Sequence, residues 1–113
     1  MRKKKLLFVC TANMQRSPTA EKLFANSRKY EARSAGTSML AVKHITKEMV
    51  DWADIIFVFS EIDENHKSYI LHYFPNAAKK KIIDLDVSDT YDKDDPRLVR
   101  LLREKLKEYL ETA

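Results

Sequence analysis

One stretch constrains this chain more than any other: Leu6-Leu7-Phe8-Val9, followed without a break by Cys10-Thr11-Ala12-Asn13-Met14-Gln15-Arg16-Ser17-Pro18. The run from Leu6 to Val9 has the length and apolar continuity of a strand buried on both faces, and a strand is expected over residues 4–9. Ser17 is suited to an N-cap, and Pro18 to the first helical position, where its missing N–H costs nothing. A helix is therefore predicted over residues 18–29, with Ala20, Leu23, Phe24 and Ser27 on one face. A strand, a short loop and a helix start in that order leave unpaired backbone N–H groups and a helix N-terminus aimed at one point. Such a point suits an anion.

The rest of the chain continues the alternation. A second strand is expected over residues 31–35, stopping at Gly36, the only glycine present. A helix is predicted over residues 45–52 with Ile45, Met49, Trp52 and Ala53 on one side. The third strand, residues 54–59, is almost wholly apolar and so belongs at the centre of a covered sheet. Ser60 with Asp63 three residues on is a variant capping box, predicting a third helix over residues 60–73 that Pro75-Asn76 ends. A fourth strand is expected over residues 81–85 and a polar loop over 86–94. Asp95 and Pro96 then open the last helix as N-cap and first residue. Its core-facing stripe is Leu98, Val99, Leu102, Leu106, Tyr109 and Leu110.

Strands alternating with helices predict an α/β fold: a three-layer, four-stranded parallel sheet with helices on both faces, in a single domain over residues 1–113. Ligands of such sheets bind beyond the carboxyl ends of the strands. The loops after the first and fourth strands share that rim, which brings Cys10 and Asp89 to the same edge.

Composition narrows the function. A chain of 113 residues, 44% hydrophobic, supports one core. No apolar run reaches the roughly 18–20 residues needed to cross a bilayer. The basic opening Met1-Arg2-Lys3-Lys4-Lys5 leads into an apolar stretch that ends at Cys10, too short for a signal peptide. A single cysteine rules out an internal disulfide, and a thiol that must stay reduced suits the cytoplasm. The net charge of +4 and calculated pI near 9.2 fit a solvated surface or a field for an anionic substrate. Nucleic-acid binding would want aromatic residues interleaved with that charge, which are missing; no nucleic-acid or membrane partner is expected. One glycine cannot build a Walker loop or a dinucleotide fingerprint. His44, His66 and His72 are not spaced with Cys10 as a metal cluster, so no metal or other cofactor is expected.

Within the first loop, Cys10 and Arg16 bracket the anion point. A thiol beside a helix N-terminus and an arginine ionises more readily than a free one. Arg16 offers a planar fork for two oxygens of a phosphate or arsenate. Ser17 can hydrogen-bond a thiolate and so improve it later as a leaving group. In a loop without glycine, Asn13 is the residue best able to take left-handed backbone angles. Plainer roles exist for each: an inert buried cysteine, a helix-surface arginine, a serine that only caps, a solvated acidic loop, a packed loop tyrosine at Tyr91. Met49 and Trp52 fit a core stripe better than a substrate wall.

Cys10 to Pro18 fits Cys-x5-Arg-Ser-Pro and resembles the signature loop of low-molecular-weight protein tyrosine phosphatases. Ser34-Ala35-Gly36-Thr37 resembles the end of that family's second strand, and Ala53-Asp54-Ile55-Ile56 its third strand. Val87-Ser88-Asp89-Thr90-Tyr91 resembles its late acid loop, usually Val-Pro-Asp-Pro-Tyr. The resemblance implies a compact member with strand order 2-1-3-4. It also implies cysteine-dependent phosphomonoester hydrolysis through a Cys10 thiophosphate, without a metal. Arg16 and Ser17 would assist Cys10, and Thr11, Ala12, Asn13, Met14 and Gln15 would cradle the phosphoryl group. Asp89 would be the general acid and base, with Asp86 or Asp92 as fallback, and Tyr91 would stack on an aryl leaving group. Expected partners are a phosphorylated protein or small aryl phosphate, with phosphate, sulfate or vanadate as site ligands. Oligomeric state is not legible. Ala12 stands where the family commonly has glycine, and Gln15 where it has a second cysteine. Both acid-loop prolines are absent, and the segment after Gly36 is short. Two other readings fit the same loop: a non-catalytic phosphoryl-binding module, and an arsenate reductase relying on an external thiol.

Overall fold

The computed structural model describes residues 2–110. Strands β1 (Lys4–Cys10), β2 (Tyr30–Gly36), β3 (Ile55–Val58) and β4 (Lys81–Asp84) form one parallel sheet in the order β2-β1-β3-β4. Helices α1 (Arg16–Lys22), α2 (Lys47–Trp52), α3 (His66–Tyr73) and α4 (Pro96–Leu106) connect and cover it, with a 3-10 turn at Pro75–Lys79. This is the α/β architecture and strand order expected from the sequence.

The two-residue period of β1 divides the core. Leu6, Phe8 and Cys10 face one side with Phe57 and Ile83, where Ala20 of α1, Phe24, and Leu98, Leu102 and Leu106 of α4 cover them. Phe8 stacks between Phe57, 5.2 Å away centroid to centroid, and Phe24, 5.8 Å away. Leu7 and Val9 face the other side with Ile56 and Val58, under Ile45, Val50 of α2, Ile70 of α3 and Ala77. Both faces of β1 and β3 are sealed, which is why those strands read as unbroken apolar runs. Met49 and Trp52 pack on the second cluster, as expected of a core stripe.

The bounds of α1, α2 and α3 differ from the sequence expectation. α1 starts at Arg16 and ends at Lys22, with Gln15 at the cap position and no side-chain cap. Ser17 is therefore not the N-cap; its hydroxyl points inward. Pro18 falls on the third helical residue, still within the first turn where no N–H needs a partner, and Thr19 N–H is the first to bond back, to Gln15 O at 3.2 Å. α2 begins only at Lys47, capped by Thr46, whose side chain accepts from Met49 N; Ile45 is buried just ahead of it. The Ser60–Asp63 pair does form, Asp63 N–H donating to Ser60 Oγ at 3.1 Å, but it closes a turn. Asn65 takes φ 56°, which no helix continues through, so α3 starts at His66. Asp95 and Pro96 open α4 as expected, Asp95 accepting from Arg97 N at 2.8 Å.

The one glycine is needed for a close approach. A Cβ on Gly36 would lie 2.4 Å from Thr11 O and 2.6 Å from Ala41 Cβ. That proximity lets the segment after β2 run along the first loop. Thr37 N–H donates to Cys10 O at 2.9 Å, Ser38 N–H to Thr11 O at 3.0 Å and Val42 N–H to Ala12 O at 3.1 Å.

Candidate active site

Cys10 ends β1, 3% exposed, and the loop from Thr11 to Gln15 carries the chain over it into α1. Asn13 sits at the crest with φ 55°, the left-handed conformation expected of it. Its side chain works in both directions: Nδ2 donates to Ser17 Oγ at 2.8 Å, and Oδ1 accepts from Lys43 N at 3.2 Å. Ser17, buried inside α1, brings its Oγ to 3.0 Å from Cys10 Sγ and 3.3 Å from Ala35 O. With Asn13 donating to it, the hydroxyl keeps its own proton to give to the sulfur or to the carbonyl. The sequence reading of Ser17 as partner of the thiol therefore has its geometry.

Arg16 is 3% exposed, its guanidinium 5.8 Å from the Phe59 ring centroid. Its end-on fork is taken: Nη1 donates to Glu64 Oε2 at 2.7 Å and Nη2 to Glu64 Oε1 at 2.6 Å, while the other Nη1 proton goes to Val87 O at 2.9 Å. Nε–H and the second Nη2 proton, which form the side-on fork, make no hydrogen bond among the described residues. The arginine is thus anchored through one pair of donors and keeps a second, parallel pair of the kind that binds two oxygens of one anion.

Glu64 was not singled out in the sequence, and His66 was weighed there only as a metal ligand and set aside. Thr11 Oγ1 donates to Glu64 Oε1 at 2.5 Å and lies 2.8 Å from His66 Nε2. His66 is fully buried, and its Nδ1 accepts from Phe59 N at 3.3 Å and Ser60 N at 3.1 Å. An Nδ1 that accepts two amide protons is unprotonated, so the neutral ring carries its proton on Nε2 and donates it to Thr11. Burial holds the His66 ring below its ordinary value against the pull of Glu64, so the neutral form is the resident one. Burial would raise the Glu64 carboxyl, but hydrogen bonds from Arg16 and Thr11, with the Arg16 charge, outweigh it and lower the group to about 2. One signal could have found these residues. The segment Glu61 to His66 follows the central apolar strand and so belongs to the same ligand-binding rim.

The loop after β4 is pinned at both ends. Val87 N–H donates to Phe59 O at 2.7 Å while its carbonyl holds Arg16, and Asp94 N–H donates to Thr19 Oγ1 at 2.9 Å. Asp89 is exposed between these anchors and makes no hydrogen bond among the described residues. Other acidic residues of the segment have structural work: Asp84 accepts from Glu61 N and Asp86 N, Asp94 pairs with Lys22, and Asp95 caps α4. Tyr91 is half-buried against the α4 side of the core, with Arg97 5.8 Å over its ring. Met14 is exposed, and Ala12 and Gln15 are partly so. No group of three or more His, Cys, Asp or Glu able to hold a metal occurs among the described residues. Nor is any helix there long and apolar enough to cross a membrane.

Residues 5–54 match the sequence model of the low molecular weight phosphotyrosine protein phosphatase family. No curated protein sequence matches the chain. Among solved structures, the tyrosine phosphatase Wzb from Escherichia coli K30, in complex with phosphate, superposes with TM-score 0.72 at 21% identity, covering 96% of each chain. The YwlE arginine phosphatase from Geobacillus stearothermophilus gives TM-score 0.66 at 22% identity, covering 97% of this chain and 99% of its own. A thioredoxin-dependent arsenate reductase from Corynebacterium glutamicum gives 0.62 at 18% identity over 95% of this chain and 60% of its own. The chain therefore has the fold of these proteins over nearly its whole length, and its residues 5–54 are similar in sequence to the low molecular weight phosphotyrosine protein phosphatase family.

Proposed function

We propose that this protein hydrolyses phosphomonoesters, aryl phosphates such as phosphotyrosine among them, through a phosphorylated Cys10. The observation that carries the reading is one loop holding a buried sulfur 3.0 Å from a serine hydroxyl, with an anchored arginine whose side-on fork is open. The Cys10 sulfur attacks phosphorus, and the bond from phosphorus to the ester oxygen breaks. Its electron pair leaves with that oxygen, which takes a proton from Asp89. Loop amides and the open fork of Arg16 meet the charge on the equatorial oxygens. Ser17 donates to the sulfur as it departs. In the second step water attacks phosphorus, the bond to sulfur breaks, and Asp89 takes the water proton. Phosphate leaves and the thiolate is restored.

Asp89 is favoured as the acid because Asp84, Asp94 and Asp95 are engaged elsewhere, and because Val87, two residues before it, is hydrogen-bonded to Arg16. Tyr91 would have to leave its packing against Arg97 to stack on a leaving group. The single cysteine disfavours arsenate reduction, which would need an external thiol, and the reducing cytoplasm is the compartment that suits Cys10.

The test is p-nitrophenyl phosphate hydrolysis by wild type, Cys10→Ser and Asp89→Asn between pH 5 and 8 under reducing conditions. Turnover that vanishes in Cys10→Ser and falls steeply in Asp89→Asn supports both roles. Loss in Cys10→Ser alone moves the acid to Asp86 or Asp92. No wild-type turnover while phosphate or vanadate still binds would overturn the hydrolase in favour of a binding module.

A further inference from the structure

We infer that His66 is a positioning residue for phosphoryl binding, acting through Thr11 and Glu64 on Arg16. The inference rests on the phosphoryl-binding reading above and extends it to a residue 50 positions from the arginine in sequence.

The hydrogen bonds run in one direction only. Phe59 N–H and Ser60 N–H occupy His66 Nδ1, so the ring has its proton on Nε2 and donates to Thr11 Oγ1. Thr11 has a single proton, and with the histidine donating to its oxygen that proton goes to Glu64 Oε1. Glu64 then accepts from Thr11 and from both Arg16 Nη atoms. A carboxylate held by three donors from two residues has one position, and so has the end-on fork that it grips. Since the guanidinium is planar, fixing that fork fixes the direction of the open Nε–Nη2 fork. Without His66, the Thr11 hydroxyl is free to rotate away and Glu64 is held by the arginine alone, two side chains that can swing together. The charged groups around the ring are Glu64, Arg16, Asp84 and Glu61. The Thr11 hydroxyl is thereby committed inward, and its backbone N–H is the group left for a phosphoryl oxygen.

A purely structural role is the alternative, because His66 also caps two amides at the end of β3. The two roles sit on different ring nitrogens and separate by substitution. His66→Asn places an oxygen where Nδ1 is and keeps the two amides satisfied, but cannot reach Thr11. Thr11→Val removes the hydroxyl with the shape kept, and Thr11→Ser retains it. Inorganic phosphate affinity, measured by titration calorimetry, should weaken about tenfold in His66→Asn and in Thr11→Val, the loss of one hydrogen bond to a charged group. The double variant should be no weaker than the weaker single one, since both cut one relay, and Thr11→Ser should restore the affinity that Thr11→Val loses. Wild-type affinity in folded Thr11→Val, or additive losses in the double variant, overturns the inference. Exchange of the Arg16 Nε proton, followed by NMR without ligand, separates the two readings. If wild type binds no phosphate, the phosphoryl reading falls. In that case faster Nε–H exchange in Thr11→Val keeps the relay, and unchanged exchange removes it.

Discussion

Glu64 provides the sharpest stability prediction. Its carboxyl is lowered from 4.5 to about 2 in the fold, and its side chain is 20% exposed beside an arginine that is 4% exposed. A carboxyl lowered by folding stabilises the folded state above its unfolded value, and that contribution is lost as pH falls through the folded value. Here the window runs from 4.5 down to about 2. At about 1.4 kcal/mol for each unit of difference, the carboxylate contributes about 3 kcal/mol at pH 7, of which about 2 kcal/mol is gone by pH 3. Glu64→Gln removes the charge and turns amide protons toward the Arg16 donors. It should cost about 3 kcal/mol at pH 7, in line with other pairs broken by deleting one partner. The assay is urea unfolding of wild type and Glu64→Gln at fixed ionic strength, from pH 7 to pH 3. The gap between the two curves should hold steady down to pH 5 and then close by about 2 kcal/mol by pH 3. His66 also lowers stability in acid, since burial opposes its protonation, but that loss begins near its ordinary 6.5 and is present in both proteins. A gap that stays constant from pH 5 to pH 3 would refute the assignment of Glu64 as the ionised partner of Arg16.

Two further substitutions probe the loop itself. Gly36→Ala would put a methyl 2.4 Å from a backbone oxygen and should destabilise by at least about 3 kcal/mol in the same urea assay; a loss under about 1 kcal/mol would mean that the two loops can part. Asn13→Gly keeps the left-handed backbone and loses only the bonds to Ser17 and Lys43, whereas Asn13→Ala adds the steric cost of φ 55°; Ala should be the less stable by about 1–2 kcal/mol, and equal stability would contradict a strained crest.

What the sequence revealed, and what it hid, divides along a physical line. The strands were legible because β1 and β3 are sealed on both faces and leave uninterrupted apolar runs. Asn13 was legible because a loop with no glycine has few ways to reach positive φ. Helix starts were misplaced where a residue favoured as a cap had been drawn into another duty. Ser17 is the clearest case, its hydroxyl spent on Cys10 and not on the first turn. Asn65 ended the reading of α3 by adopting a backbone angle that composition does not announce. Glu64 and His66 stayed hidden because their partners are 48 and 55 residues away, and no local period marks such pairs.

The strand order explains how firmly each side of the loop is held. β1 lies between β2 and β3, so the exit segments of both neighbours reach the loop that follows it. The β2 side is tied by backbone, from Thr37, Ser38 and Val42 to the carbonyls of residues 10–12. The β3 side is tied by side chains, His66 and Glu64 to Thr11 and Arg16. β4 does not adjoin β1, and its exit loop touches Arg16 through one carbonyl, that of Val87. The loop from Cys10 to Arg16 is therefore tied along its length to both neighbouring strands, whereas the segment that carries Asp89 is held only at its two ends, by Val87 and Asp94, with Asp89 exposed between them. On the reading proposed above, an acid that must meet leaving groups of different shapes belongs on the looser span, and a fork that must grip two oxygens of every phosphoryl group belongs on the tighter one.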